Sequence, residues 1–273
     1  MQRSRDELPI PRFESRVVDG IDLLTDESLF DACGVRIAFT GRAGGVSQGA
    51  YSSLNTATHV GDDAQDAEEN RRRVLSAIGA QACTLIAPNQ VHGTNVVSVA
   101  NAEEIERAQK RVEEGADAVA VFEKGVAAML ISADCLLLSV VAPSGDFVVA
   151  HAGWRGAVAH VAARAVEVLA RESGLDPSGF NVYIGPHIRS ECFEVGFEVA
   201  HAFEAEFGSG VLADERHVSL VDAVSADLVE SGIDRARIAD SDICTVCNPE
   251  RYFSYRASGG TCGRNAAIAV AVR

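Results

Sequence analysis

AVAVFEKGVAAMLISADCLLLSVVAPSGDFVVAHAGWRG, residues 118–156, packs four apolar runs into a short span. They are Ala118 to Val121, Val126 to Ile131, Leu136 to Val141 and Phe147 to Ala150. None alternates with polar residues, so each reads as a strand covered on both faces rather than one with a wet side. Cys135 and His151 fall at the ends of these strands, where a rigid frame can hold a side chain in a fixed direction.

Working outward, Val35 to Thr40 is β-prone and runs into the glycine-rich Gly41-Arg42-Ala43-Gly44-Gly45. Asp62 to Ala80 reads as a helix with carboxylates near its start, where they favour the dipole. Thr84 to Ala87 and Asn95 to Val99 flank Gln90-Val91-His92-Gly93 in a hairpin-like arrangement, with His92 near the turn. Ala102 to Gly115 is strongly charged and reads as an exposed helix or mobile excursion, a solvated surface. Downstream, Gly156 to Glu172 is an amphipathic helix, Asn181 to Ile184 a strand, and Phe197 to Phe207 and Leu220 to Gly232 are helical. Ala266 to Val272 is a final strand. Without repeats or a Pro/Ser-rich linker, residues 17–273 are expected to form one catalytic domain behind a flexible leader, residues 1–16.

The chain has 273 residues, 47% hydrophobic and 23% charged, an ordinary composition for a soluble protein. Its formal charge of −15 argues against nucleic acid as a partner. It leaves room for an anionic small substrate, because a few local arginines can reverse the sign inside a cleft. No apolar run is long enough for a membrane span, and the polar N-terminus has no apolar core of a signal peptide. Seven irregularly spaced cysteines then point to reduced thiols in a cytoplasm.

Three segments carry the chemistry: Gln90-Val91-His92-Gly93, Ala133-Asp134-Cys135 and His151-Ala152-Gly153-Trp154-Arg155-Gly156. Two imidazoles and a thiolate, brought together, make a three-ligand zinc site with its fourth position open, as catalytic zinc requires. Asp134 beside Cys135 reads either as a general base or as a group orienting a ligand. Arg42, Arg155 and Arg256, at the ends of glycine-rich segments, suit a phosphate grip, although for any one of them alone a surface ion pair is the stronger reading. The stretch after residue 40 lacks the Gly-Lys-Ser/Thr of a nucleotide P-loop. Cys244-Thr245-Val246-Cys247 has the spacing of half a zinc knuckle, a redox pair, or two buried thiols, with Cys262 the thiol left to complete a set. Trp154 reads as packing that fixes His151.

The chain resembles the laccase-domain, or YfiH-like, family from about Phe39 to its C-terminus. The resemblance rests on FTGRAGGVSQGAYSSLN (39–55), HVGDD (59–63), ENRRRV (69–74), NQVHG (89–93), ADC (133–135) and AHAGWRG (150–156). It continues through IGPHI (184–188), CFEVG (192–196), CT (244–245) and FSYRASGGTCGRNAA (253–267). It implies a single α+β domain of layered mixed β-sheets flanked by helices. It implies zinc, with copper possible, on His92, Cys135 and His151. Asp134, Cys135 and Arg42 are then expected in catalysis, and Arg42, Asn55, Arg155 and Arg256 in binding substrate. Two departures fall in the tail: Arg256-Ala257 where the family often has two arginines, and Cys262-Gly263-Arg264 where it often has Thr-Gly-Arg.

Family members are described as purine nucleoside phosphorylases and, earlier, as multicopper polyphenol oxidases. The resemblance therefore implies phosphorolysis of adenosine, inosine, guanosine and methylthioadenosine, with adenosine deamination beside it. Zinc held by the trio would lower the pKa of a water to near ~7 for attack on purine C6. A multicopper relay fits poorly, since the chain has seven histidines and no His-x-His pair. A thiol hydrolase that edits peptidoglycan precursors, with Cys135 as nucleophile and His151 as base, is the enzyme alternative. A non-catalytic metal-binding protein is the third.

Overall fold

Two six-stranded mixed sheets face each other in a computed structural model that describes residues 7–272. In chain order the elements are β1 (Glu14–Val18), β2 (Ile21–Thr25), α1 (Glu27–Cys33), β3 (Val35–Thr40), α2 (Ala64–Ala77), β4 (Thr84–Ile86), β5 (Val96–Val99) and α3 (Ile105–Glu114). Then follow β6 (Ala118–Val121), β7 (Val126–Ser132), β8 (Leu136–Val141), β9 (Phe147–Ala152), α4 (Trp154–Val158) and α5 (Val161–Ser173). The chain ends with β10 (Asn181–Ile184), α6 (Phe197–Phe207), α7 (Leu220–Glu230), β11 (Ile238–Asp240) and β12 (Asn265–Ala271). The first sheet runs β1-β2-β3-β12-β7-β4 and the second β11-β10-β8-β9-β6-β5. Neighbours are antiparallel except β4 with β7, β5 with β6 and β10 with β11.

The continuous apolar strands find their reason in this layering. Along β7, Ala128 and Leu130 face the second sheet, while Ala127, Met129 and Ile131 face α2. Along β8, Leu137 and Val141 face the first sheet, while Leu136, Leu138 and Val140 pack with α5, α6 and α7. Each central strand is thus dry on both sides although the sheets are largely antiparallel. Burying one such Leu or Val contributes about 1.5–3 kcal/mol.

Three expectations change and one of two alternatives is selected. The leader does not extend through residue 16. Residues 1–6 lie outside the described residues, but Leu8 is buried, the Pro9 carbonyl accepts from Asn181 at 2.8 Å, and β1 pairs with β2. The segments around His92 form no hairpin: β4 belongs to the first sheet and β5 to the second, so the chain crosses between sheets there. For residues 102–115 the exposed-helix reading holds: α3 is mostly exposed, with Ala108 and Val112 buried. The helix expected over 156–172 is two helices. His160 breaks it at φ 61°, its ring held between Asp227 and Glu206 at 2.8 Å each. The second oxygen of Asp227 accepts from the Ala163 N–H at 2.9 Å, which caps the new helix from α7.

Candidate metal centre and cleft

The chain crosses from the first sheet to the second in two places, and both crossings end at the same point. One is Gln90 to Gly93 between β4 and β5; the other is Ala133 to Cys135 between β7 and β8. Gln90 fastens the first to β7: its amide donates to the Ile131 carbonyl at 2.9 Å and its oxygen accepts from the Ile131 N–H at 2.8 Å. His151 arrives on β9, paired with Leu137 of β8, so it stands next to Cys135. The ligand atoms of His92, Cys135 and His151 lie within 4.8 Å of one another. The two imidazole rings meet edge to face, centroids 4.8 Å apart at 84°.

One carboxylate holds the His151 ring and the His92 backbone. Asp117, fully buried at the head of β6, takes His151 Nδ1 at 2.9 Å on Oδ1. It also accepts the successive backbone N–H groups of Val91, His92 and Gly93, at 3.3, 2.9 and 2.6 Å. That nest holds His92 at φ 60°, a left-handed backbone that a non-glycine residue adopts at a cost. With Nδ1 committed to Asp117, His151 turns Nε2 toward the thiol. Such a carboxylate–histidine pair orients a metal-binding imidazole and raises its basicity.

Charge follows the geometry. Burial pushes the Cys135 thiol up, but hydrogen bonds and charge from His151 and His92 bring it down to about 6. Burial opposes charge on His151, yet Asp117 and Cys135 lift it to about 9. Burial also opposes ionisation of Asp117, and His151 with the backbone N–H groups of Gly93 and His92 outweighs it, holding the carboxyl below its ordinary range. Two imidazoles and one thiolate, a converged set of borderline and soft donors, fit a zinc-class ion.

The trio forms the floor of a cleft of about 400 Å³ whose lining also includes His59, Phe193, Tyr255, Arg256 and Arg264. This is the size of an ordinary small-molecule site. A larger groove, about 740 Å³, runs along Arg111, Arg164 and Arg171 but holds none of the trio. His59 is pulled below the ordinary imidazole range by burial, then by the charges of Arg264 and Arg71.

Of the other expected residues, Asp134 and Arg256 reach the cleft and Arg42, Asn55 and Arg155 do not. Arg42 spends its guanidinium on carbonyls: Nε and Nη2 on Ser52 at 3.1 and 2.8 Å, Nη1 on Pro249 at 2.6 Å. It straps two loops together over the Phe253 ring. Asn55 is fully buried and equally engaged, donating to Ala57 and Asp62 while accepting from the Ala57 and Arg264 N–H groups. Arg155 is exposed and lies over the Trp154 ring at 4.3 Å. Both oxygens of Asp134 are taken, Oδ1 by the Thr245 hydroxyl at 2.6 Å and Oδ2 by the Arg256 N–H at 2.7 Å. Asp134 therefore latches the tail to the strand crossing.

Asp117 was missed by sequence reasoning, and its signal is a lone carboxylate set against an apolar run. At the tail's departures from the family pattern, Arg256 and Arg264 line the cleft, and Cys262 packs with Ala133 and Phe253.

The chain belongs to the family described as multi-copper polyphenol oxidoreductase laccase, whose model matches residues 36–272. It is 32% identical over 241 residues to the purine nucleoside phosphorylase YlmD of Geobacillus stearothermophilus, covering 85% of this chain and 88% of that one. It is 32% identical over 242 residues to adenosine deaminase RL5 from an unknown prokaryotic organism, covering 85% and 92%. The crystal structure of YlmD from G. stearothermophilus superposes with a TM-score of 0.83 at 29% identity, over 97% of this chain and 99% of that chain. Among the described residues, no helix is long and apolar enough to cross a membrane.

Proposed function

We propose that this chain is a metal-dependent, cytoplasmic enzyme that cleaves purine nucleosides with inorganic phosphate and also deaminates adenosine. The observation that carries the proposal is the convergence of His92, Cys135 and His151, with the His151 ring and the His92 backbone held by Asp117, in a nucleoside-sized cleft. The names of the relatives supply the substrate class. Zinc is the metal proposed, and when bound it supplies Lewis-acid polarisation of an oxygen in the cleft.

The protein's own groups have separable tasks. Asp117 holds a proton on His151 Nδ1 and keeps Nε2 inward. Tyr255, half exposed at the rim, and Phe193 offer ring faces to a flat base. Arg264 gives the cleft a cationic end for phosphate, and His59 beside it, held toward its neutral form, offers a ring N–H. Arg42 and Arg155 lie outside the lining of this cleft, and Arg256 binds the Cys192 and Glu194 carbonyls at 3.0 and 2.9 Å. In phosphorolysis a phosphate oxygen bonds to the anomeric carbon, the glycosidic C–N bond breaks, and the purine leaves with a proton. Zinc-loaded protein given adenosine and phosphate is expected to release adenine and ribose 1-phosphate, and inosine in the deamination arm. Metal-loaded protein that turns over no purine nucleoside would overturn the proposal.

One observation favours a second reading. Cys135, His151 and Asp117 also form a thiolate–imidazole–carboxylate series, the arrangement of a thiol hydrolase acting on amides. A covalent acyl adduct on Cys135, seen by mass spectrometry with an amide substrate and no metal, would select it. The histidines do not favour a copper relay: His160, His187 and His217 are bound to Asp227 and Glu206, to the Gly185 carbonyl and to Asp214.

A further inference from the structure

Cys244 and Cys247 find their partner in Cys192, not in Cys262. The Sγ atoms of the three and a carboxylate oxygen of Glu191 all lie within 4.8 Å of one another. The backbone brings them together. Residues 187 and 244 pair as a parallel bridge, with the His187 N–H on the Ile243 carbonyl at 3.2 Å and the Thr245 N–H on the His187 carbonyl at 3.0 Å. On one side of that bridge the chain turns at Arg189 to present Glu191 and Cys192, the Cys192 N–H closing on the Arg189 carbonyl at 2.9 Å. On the other side it turns through Cys244 to Cys247, tied by Asn248 Nδ2 to the Cys244 carbonyl at 2.8 Å.

We propose that Glu191, Cys192, Cys244 and Cys247 form a second metal centre, for a zinc-class ion, separate from the trio. The donor set has the three thiols and fourth ligand of a closed structural site, and two of the thiols keep the C-x2-C spacing of such sites. The sulfurs are spaced for a metal. Cys192 and Cys247 Sγ stand 3.5 Å apart, near the roughly 3.8 Å that two thiolates span on one tetrahedral zinc. A disulfide would need them at about 2.05 Å. Each thiol that ligates gives its proton to solvent as the sulfur–metal bond forms, and no electron moves.

The centre sits behind one wall of the cleft. Phe193 follows Cys192 into the lining, the Cys192 carbonyl accepts Arg256 Nη1, and Thr245 holds Asp134. Metal here clamps the two loops that shape that wall, whatever reaction the cleft performs.

The test uses the full-length, reduced, metal-free chain. Zinc titration followed by elemental analysis is expected to find two equivalents bound, falling to one in Cys192→Ser/Cys247→Ser and to one in Cys135→Ser. A folding failure of the double variant leaves the second measurement intact. Cobalt-loaded Cys135→Ser, whose first centre has no thiolate, is expected to keep a strong thiolate-to-cobalt charge-transfer band. Absence of that band overturns the proposal. So does a single zinc equivalent in the native chain, or a Cys192–Cys247 disulfide that re-forms in the presence of excess zinc.

Discussion

The two clusters of candidate metal ligands are built on opposite plans. His92, Cys135 and His151 stand at strand ends and sheet crossings, with a buried carboxylate behind them and a cleft in front. Glu191, Cys192, Cys244 and Cys247 stand on two surface loops, with Glu191 and Cys247 exposed. Three donors on a rigid frame leave a position for substrate; four donors on loops close upon themselves. On the proposals above, the first arrangement is assigned to chemistry and the second to holding loops in place.

The sharpest way to break this contrast is to empty the first centre. Cys135→Ala is expected to bind one metal fewer and to lose nucleoside turnover below detection, while its thermal melt stays cooperative. Full activity in that variant would remove the metal from the reaction. Next comes the support behind the ligands. Asp117→Asn keeps the shape but not the charge, and is expected to weaken zinc affinity or turnover about 10–100-fold. Competition with a chromophoric chelator measures it.

The arginines offer a third comparison. Arg264→Gln is expected to raise the KM for phosphate by the equivalent of about 1.5–3 kcal/mol, the worth of a hydrogen bond to a charged group. Arg42→Gln is expected to leave that KM unchanged and to lower only the melting temperature. Equal effects on KM would erase the distinction between cleft and strap.

Protons provide a fourth. Near neutral pH, Cys135, at about 6, is already a thiolate, whereas His151, at about 9, still carries the proton that metal must displace. Zinc entering the first centre is therefore expected to release about one proton at about pH 7.5. Affinity is expected to fall as pH drops below about 9, where His151 holds its proton, and more steeply below about 6, where the thiol is protonated again. Calorimetry of Cys192→Ser/Cys247→Ser in buffers of differing ionisation enthalpy counts the proton; two or none would contradict the assigned charges. The smallest effect is expected from Thr245→Val, which unpairs the buried Asp134 Oδ1 at a cost of about 1–3 kcal/mol in denaturant unfolding.

What the sequence disclosed, and what it hid, follows from where the information sits. The strands from Ala118 to Ala150 were legible because burial on both faces writes itself into composition. The trio was legible because soft ligands beside small residues are locally odd. Asp117 was not, because its meaning depends on His151 and on three amides some 25 residues upstream of it. The sheet crossing at His92 looked like a hairpin because strand propensity says nothing about which sheet a strand joins. Arg42 and Asn55 carried the right chemistry for substrate, but their partners, Pro249 and Arg264, lie at the far end of the chain. Cys192 was invisible as a partner of Cys244 for the same reason: spacing reports neighbours along the chain, and this pairing depends on a bridge between residues 187 and 244.

Gly153 leads to a last consequence. A methyl group there would stand 2.6 Å from His92 Cδ2, 3.3 Å from Cys135 Sγ and 3.5 Å from His151 Cε1, so the bare backbone acts as a spacer gauge touching all three ligands at once. Histidine and cysteine recur by chance in any long chain, but a residue without a side chain at this one point is a condition of assembly. When the integrity of such a centre is judged in another chain, the glycine is the more discriminating residue to inspect.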